Sequence, residues 1–437
     1  MAVTRRQFLA TPAALAASAL VPGSLLAAVA SQTPAMPDLS NWDIVRAQFM
    51  LDPAYRHFSS FYIASHPAPV RDALEGYRRA LDANPLLTVE HGMFGSDEQH
   101  LPSAVARDVA AYFGGRPEDI CLVRSTTEGL ALVYHGLPLQ AGDEVLCTTH
   151  DHYAHHESIR LATQRAGATM RKIALHDDAA KASTDEMIAR LKAAIGPKTR
   201  VVGLTWVHSS SGLRLPIREI AAALGELPQS VLLVVDGVHG LGSADEDIPS
   251  TGVDYFVAGT HKWIFAPRGT GIVWSDAAGW ARLRPVVPSF TDIESYEAWA
   301  GDRDPQTPNN AGRMSPGGFH AFEHQWAMGA AFRMHSTMGR RRVAERIAAM
   351  NSQLKEGLAG LPKVRLHTPM SPALSAGVVA FEVEGLTPQQ VVQQLLERGF
   401  LASVSPYAVA YARLAPSLVN TAEEVDQALA AMRQVAA

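Results

Sequence analysis

The stretch Val231-Leu232-Leu233-Val234-Val235-Asp236-Gly237-Val238-His239-Gly240 decides how the rest of the chain is read. A short apolar run, Val231–Val235, ends in a carboxylate and a glycine-flanked turn, the pattern of a strand that delivers an acid at its carboxyl end. Open α/β sheets bind their ligands beyond such strand ends, so Asp236 stands where a site would be. Upstream, further strand-like runs occur at Ile120–Val123, Glu144–Cys147, Thr169–Ile173 and Arg200–Leu204. Amphipathic helical patterns alternate with them at Ala68–Asp82, Ser103–Phe113, Thr127–Tyr134, Ala154–Ala166, Thr184–Ile195 and Ile217–Leu224. This alternation predicts helices covering both faces of a mainly parallel sheet.

Downstream, two short runs at Asp254–Val257 and Gly271–Trp274 flank Lys262. Thr291–Gly318 is rich in Gly, Pro, Asp, Asn and Arg and reads as a long irregular excursion, the kind that serves a site or an interface. A long helical pattern from about Ala321 to Leu358 is expected to bend or to bridge two domains. From about Val364 a smaller strand–strand–helix unit follows (Ala376–Glu382, then Pro388–Arg398), closing on a helix from Ala422. A chain of 437 residues exceeds what one hydrophobic core serves. The expected division is an arm at 31–60, a large domain at 61–330 and a small one at 331–437.

A composition of 47% hydrophobic and 19% charged residues is that of a globular protein, and the net charge of −5 offers no basic excess for nucleic acid. Cys121 and Cys147 lie in apolar runs and read as reduced core residues, with a disulfide between them as the alternative. The N-terminus carries Thr4-Arg5-Arg6-Gln7-Phe8-Leu9, a twin-arginine export pattern, then an Ala-rich stretch and a small-residue cleavage site at Ala28-Val29-Ala30. Thr11, Pro12, Ser18, Pro22, Gly23 and Ser24 break the roughly 20-residue apolar run that a membrane anchor needs. Residues 1–30 are therefore expected to be a signal peptide, and the mature protein to be periplasmic without stable membrane insertion.

Gly259-Thr260-His261-Lys262-Trp263 sets a lysine between an apolar strand and a bulky apolar run. Desolvation there lowers an amine's pKa, as Schiff-base formation requires. Most lysines lie on the surface, so Lys262 alone would mean little. Arg124-Ser125-Thr126-Thr127-Glu128-Gly129 joins a strand to a helix and gathers hydroxyls and free N–H groups, a place that accepts phosphate. By itself it is equally an ordinary N-cap. His152, in Asp151-His152-Tyr153, offers a flat ring after the next strand. Asp236 can hold a ring nitrogen in its protonated form, although an aspartate after a strand is a loop cap or metal ligand at least as often.

Together and in this order, these motifs resemble the class V aminotransferase family of fold type I pyridoxal-phosphate (PLP) enzymes, which includes isopenicillin N epimerase and the cysteine desulfurases. The resemblance runs from about Phe58 to Asp426. It implies an α/β fold with a mainly parallel seven-stranded sheet between helices, plus a small C-terminal α/β domain. It implies PLP on Lys262, with Asp236 at the pyridine nitrogen, His152 stacked on the ring and His239 at the ring hydroxyl. Thr126 and Thr127 would hold the phosphate, helped by His261, while Gly259 stands where many relatives have a phosphate-binding serine. Arg413, in Ala412-Arg413-Leu414-Ala415-Pro416-Ser417, matches the arginine that grips the substrate carboxylate, a task suited to a guanidinium fork. Ser315-Pro316-Gly317-Gly318 stands where relatives reach the neighbouring subunit's phosphate, so Gly317 and Gly318 are expected to serve a homodimer.

Two readings compete. His150, His152 and His155 fit part of a zinc-hydrolase histidine motif, but Ala154 replaces its aspartate. A binding protein without chemistry would not need the Lys262, Asp236 and Arg413 set. Desulfuration through a protein thiol is disfavoured because no cysteine lies beyond Cys147. The expected reaction is transamination-type chemistry at the Cα of an amino acid, by Schiff-base formation and proton abstraction, with epimerisation or C–S lysis as alternatives. The export signal, Phe58–Pro67 and Gly318–His324 also resemble the exported PLP enzymes that tailor pyoverdine-type siderophores, which implies a peptide-linked substrate.

Overall fold

The computed structural model describes residues 36–96 and 99–437, so the expected signal peptide lies outside the described residues. Seven strands form the main sheet: β1 (Ile120–Val123), β2 (Glu144–Thr148), β3 (Thr169–Ile173), β4 (Thr199–Thr205), β5 (Leu232–Asp236), β6 (Tyr255–Gly259) and β7 (Gly271–Trp274). Their order is β1-β7-β6-β5-β4-β2-β3. Only β7 runs antiparallel to its neighbours. Burial explains the unbroken apolar runs: β1, β6 and β7 are buried at every residue, as strands covered on both faces must be. The edge strand β3 is half exposed, and there Arg171 turns to pair with Glu144 at 2.7 Å.

Helices cover the faces: α1 (Ala68–Ala83), α2 (Leu101–Phe113), α3 (Thr126–Gly136), α4 (Tyr153–Ala166), α5 (Thr184–Ala194) and α6 (Ile217–Gly225). The carboxyl ends of β1, β2, β4, β5 and β6 share one edge of the sheet, and the loops after β1, β2, β5 and β6 carry candidate residues.

The long helical pattern divides at Gly339, whose φ of 86° ends α7 (Phe322–Met338) and starts α8 (Arg340–Ala359). Such a φ suits glycine and strains other residues. Because α7 packs on α1 and α2, it crosses the boundary expected at 330/331 and stays with the large domain. The small domain starts at α8. Its sheet joins β8 (Val364–Leu366), β9 (Val379–Val383), β10 (Ser403–Val404) and β11 (Ala412–Leu414) in the antiparallel order β10-β11-β9-β8. Helices α8, α9 (Pro388–Glu397) and α10 (Ala422–Val435) bury Leu354, Leu395 and Val425 against Val379 and Phe381.

The excursion at 291–318 is not wholly irregular, since it contains short helices at Ile293–Ala300 and Ala311–Met314. Buried Arg313 clamps them through Asp292 at 2.7 Å and Glu294 at 2.9 Å. The N-terminal arm, which here runs on through Phe61, packs Leu39, Val45, Phe49 and Phe61 against residues of both domains, including Trp263, Met334, Val378 and Leu418. Cys121 and Cys147 are buried free thiols, so the disulfide alternative is set aside. Among the described residues, no helix is long and apolar enough to cross a membrane.

Candidate active site

A cleft of about 180 Å³ opens at the carboxyl edge of the sheet, with Asp236, Lys262, His239, His152, Thr126 and Arg413 all on its wall. Residues from both domains and from the arm therefore meet in one place.

Asp236 ends β5 with its carboxylate fully buried, and Oδ1 accepts the Val238 N–H at 3.1 Å. Burial raises its pKa, against the pull of that N–H and of Lys262. Burial likewise lowers the pKa of Lys262, opposed by the charge of Asp236. An acid and an amine are thus both pushed towards neutrality in a dry site. Lys262 Nζ lies 3.0 Å from His239 Nε2. His239 is held well below its ordinary pKa by burial, then by the nearby charges of Lys262 and Arg413, so its ring is neutral.

Ser125 caps α3 by accepting the Glu128 N–H at 3.1 Å. The first-turn N–H groups of Thr126 and Thr127 have no intrahelical acceptor, and both residues line the cleft, where a helix N-terminus suits an anion. Thr126 Oγ1 accepts the Gly259 N–H at 2.7 Å, which ties this turn to the end of β6. His261 borders the same turn. His152 caps α4, with Nδ1 accepting the Ala154 N–H at 3.2 Å, which fixes its ring on the cleft wall.

Arg413 is 3% exposed and far from a surface arginine. It donates to the Ser209 carbonyl at 2.6 Å, the Val404 carbonyl at 3.0 Å and Ser403 Oγ at 3.2 Å. Its guanidinium lies 4.8 Å from the centre of the Phe61 ring. Three of its five N–H donors are committed to protein, and the other two are available to a carboxylate.

The cleft also contains residues that the sequence did not single out: Phe61, Thr205, Ser209 and, beside them, Tyr407, whose hydroxyl meets Ser209 Oγ at 2.6 Å. A hydroxyl-rich run after β4 (His208-Ser209-Ser210-Ser211) was the one available signal. Gly317 and Gly318 are elsewhere. They line a roomier cleft of about 500 Å³ with Phe290, Asn310 and Ser315, and one chain does not bring them to Lys262.

The zinc arrangement does not form. His150 stacks on His176 with ring centroids 4.0 Å apart, His152 caps a helix, and His155 Nε2 meets Tyr134 Oη at 2.7 Å. Among the described residues, Cys147, Asp151 and His156 do bring metal-type donors together. His156, however, spends Nε2 on the Thr148 carbonyl at 2.7 Å and Nδ1 on Lys172 Nζ at 3.1 Å. Asp151 accepts the N–H groups of Thr148 and Thr205, so the group is internally satisfied.

The donor set fits PLP: an amine for its aldehyde, an acid for its ring nitrogen, a fixed flat ring, and a helix N-terminus for its phosphate. The class V aminotransferase family profile matches residues 63–427. The chain belongs to that family, and its cofactor is pyridoxal 5′-phosphate. Within the family it is 25% identical to the isopenicillin N epimerase of Streptomyces clavuligerus over 402 residues, covering 89% of this chain and 97% of that one. It is 24% identical to a probable cysteine desulfurase of Vibrio cholerae, covering 90% and 98%. Among solved structures, the C-DES protein with glycine covalently linked to its PLP cofactor matches with a TM-score of 0.78. Identity there is 23%, with 89% and 98% coverage. The cysteine desulfurase of Thermococcus onnurineus matches at 0.77, with 19% identity and 90% and 98% coverage. Likenesses at these identities show the fold: this family member has the type I α/β architecture.

Proposed function

We propose that this class V enzyme carries out transamination-type chemistry at the Cα of an amino acid, with Lys262 as the base and Arg413 holding the substrate carboxylate. PLP, when bound, supplies the electron sink for a carbanion at Cα. The observation that carries the reading is the commitment of His152. Its Nδ1 accepts the Ala154 N–H, so the neutral ring carries its hydrogen on Nε2; protonating Nδ1 would break that bond, and burial lowers the ring's pKa, which makes it a poor base. Among the described residues Lys262 is the one amine on the cleft wall, and a proton it removes returns from the same side. Returning a proton from one side suits transamination, whereas inversion at Cα needs a second group opposite.

Epimerisation is the second reading, favoured by the isopenicillin N epimerase relatives and by the Tyr407 hydroxyl beside His152. Turnover of candidate amino acids in D2O, followed by LC–MS, separates the two. A keto or aldehyde product supports transamination. A deuterated, inverted amino acid without it supports epimerisation and overturns our reading. A thiol-dependent desulfurase reading is poorly supported, because burial pushes both Cys121 and Cys147 up to about 12.

We further infer export through the twin-arginine signal and a peptide-linked, siderophore-type substrate. The exposed Tyr62 and Pro406 at the cleft mouth leave room for such a substrate's remainder. Unchanged periplasmic peptide profiles in a Lys262→Ala strain would count against the substrate. A homodimer is inferred from Gly317 and Gly318, which need a second copy's site to act on.

A further inference from the structure

Trp263 follows the cofactor lysine, and the fold makes unusual room for it. A Cβ on Gly242 would stand 2.8 Å from the Trp263 carbonyl carbon, and one on Gly377 would stand 2.5 Å from the indole. Both glycines have φ in the left-handed region, 89° and 66°. Gly377 belongs to the small domain, and the Asn351 amide clasps it, donating to its carbonyl at 3.2 Å and accepting its N–H at 2.8 Å. On the arm, the Phe61 ring lies 6.4 Å from the indole and is inclined by 25°. Trp263 is 2% exposed, held at its backbone beside Gly242 and at its ring by Gly377 and Phe61.

So fixed, the indole N–H points at Nδ1 of His239, 3.4 Å away. An indole N–H can donate but never accept. Nδ1 of the neutral His239 is therefore the acceptor, and its hydrogen sits on Nε2. Nε2 faces Lys262 Nζ at 3.0 Å. An Nε2–H needs a lone pair opposite it; the free amine has one and the ammonium has none. Asp236, from the end of β5, favours the ammonium, while Arg413 from β11 disfavours it. His152, at the start of α4, and His261, on the lysine's own loop, complete the titratable surroundings.

We propose that Trp263 is a positioning residue: it holds His239 in the Nε2–H tautomer and thereby keeps Lys262 as the unprotonated amine that captures the cofactor. Capture joins Nζ to the aldehyde carbon and expels one water, and only an unprotonated amine begins it. The assignment holds whichever reaction follows at Cα.

Two measurements on the full-length chain test it. Nitrogen NMR of histidine-labelled apoprotein, with His239 assigned by comparison with His239→Gln, reads the tautomer directly. An Nε2–H form is expected, and an Nδ1–H form overturns the proposal. The second is the pH dependence of PLP capture by apoprotein, followed by absorbance. Trp263→Phe keeps a ring but removes the N–H, so its capture midpoint should rise by about one pH unit. Capture near neutrality then slows about tenfold and recovers in alkali. An unchanged midpoint in a folded Trp263→Phe overturns the proposal. Should that variant fail to fold, Gly377→Ala, outside the cleft, displaces the indole and should give the same shift. The wild-type tautomer decides in either case.

Discussion

His261 fills the space that a side chain on Gly259 would need. A Cβ at Gly259 would stand 2.9 Å from His261 Cε1 and 2.9 Å from Thr126 Oγ1, the atom that accepts the Gly259 N–H. The ring two residues later thus takes up room that a larger side chain at position 259 would occupy. Burial lowers the His261 pKa to about 4, and Lys262 adds to the effect, so the ring is neutral.

Gly259→Ser should therefore weaken PLP binding about tenfold or more, because the new Cβ must push the Thr126 turn or His261 aside. Spectroscopic titration of apoprotein with PLP measures this. Tighter binding by the variant would mean that His261 has no place in the phosphate cradle. Adding His261→Ala to Gly259→Ser should recover part of the loss.

The sheet was legible because its strands are short apolar runs between helices of clear period. β1 and β3 lie where the pattern set them, and β5 is shifted by one residue, from 231–235 to Leu232–Asp236. The antiparallel sense of β7 was not legible, since a buried four-residue strand reads the same in either direction. The helices at Trp42–Ala47 and Ala277–Arg282 carry too few turns to show a period, and Pro85–Phe94 is only weakly amphipathic. In the site, Asp236 ends a strand, Thr126 and His152 start helices, and Lys262 lies on the loop just after β6, so all four were visible locally. Ser209 and Tyr407 reach the cleft from loops 198 residues apart, and only tertiary structure brings them together. Trp263 looked like apolar bulk because nothing in the sequence shows where its N–H points.

Arg413→Lys should raise KM at least about tenfold with a smaller loss of thermal stability, since a lysine keeps the charge but loses the fork. Arg413→Ala should cost more, about 1.5–3 kcal/mol in substrate binding. It should also lower Tm, because the Ser209 and Val404 carbonyls lose their donor. An unchanged KM in both variants would place the carboxylate elsewhere.

Lys355 gives a pH signature of stability. It is 1% exposed and donates to the carbonyls of Pro369 and Met370 and to Ser375 Oγ, with no carboxylate among these three acceptors. Burial lowers its pKa from 10.5 to about 8. Below about pH 8 both folded and unfolded chains hold the proton, and the contribution is flat. Between about pH 8 and 10.5 the unfolded chain binds more protons, so stability rises with pH, by about 3 kcal/mol at most. Denaturant unfolding at the two ends of that window should show this rise relative to Lys355→Met. A parallel pH dependence in wild type and variant would refute it.

The segment around Gly317 carries the last prediction. Val286, Phe290, Ile293, Tyr296, Trp299 and Phe319 are all exposed large apolar residues close in sequence to it, and Phe319 is 78% exposed. Apolar exposure of that density marks a surface that pairs with another protein. Phe319 and Phe290 sit edge to face with centroids 6.0 Å apart, beside the cleft that Gly317 and Gly318 line. If a second copy covers this face, its arrival also carries Gly317 and Gly318 towards the other chain's phosphate turn. Phe319→Asp buries a charge in that contact and should shift the protein from dimer to monomer in light scattering. Because the phosphate turn then lacks its cross-chain contact, PLP should bind more weakly in the same variant. A Phe319→Asp protein that stays dimeric with full PLP affinity would remove this face from the interface, whereas a monomer with undiminished affinity would remove only Gly317 and Gly318 from the site.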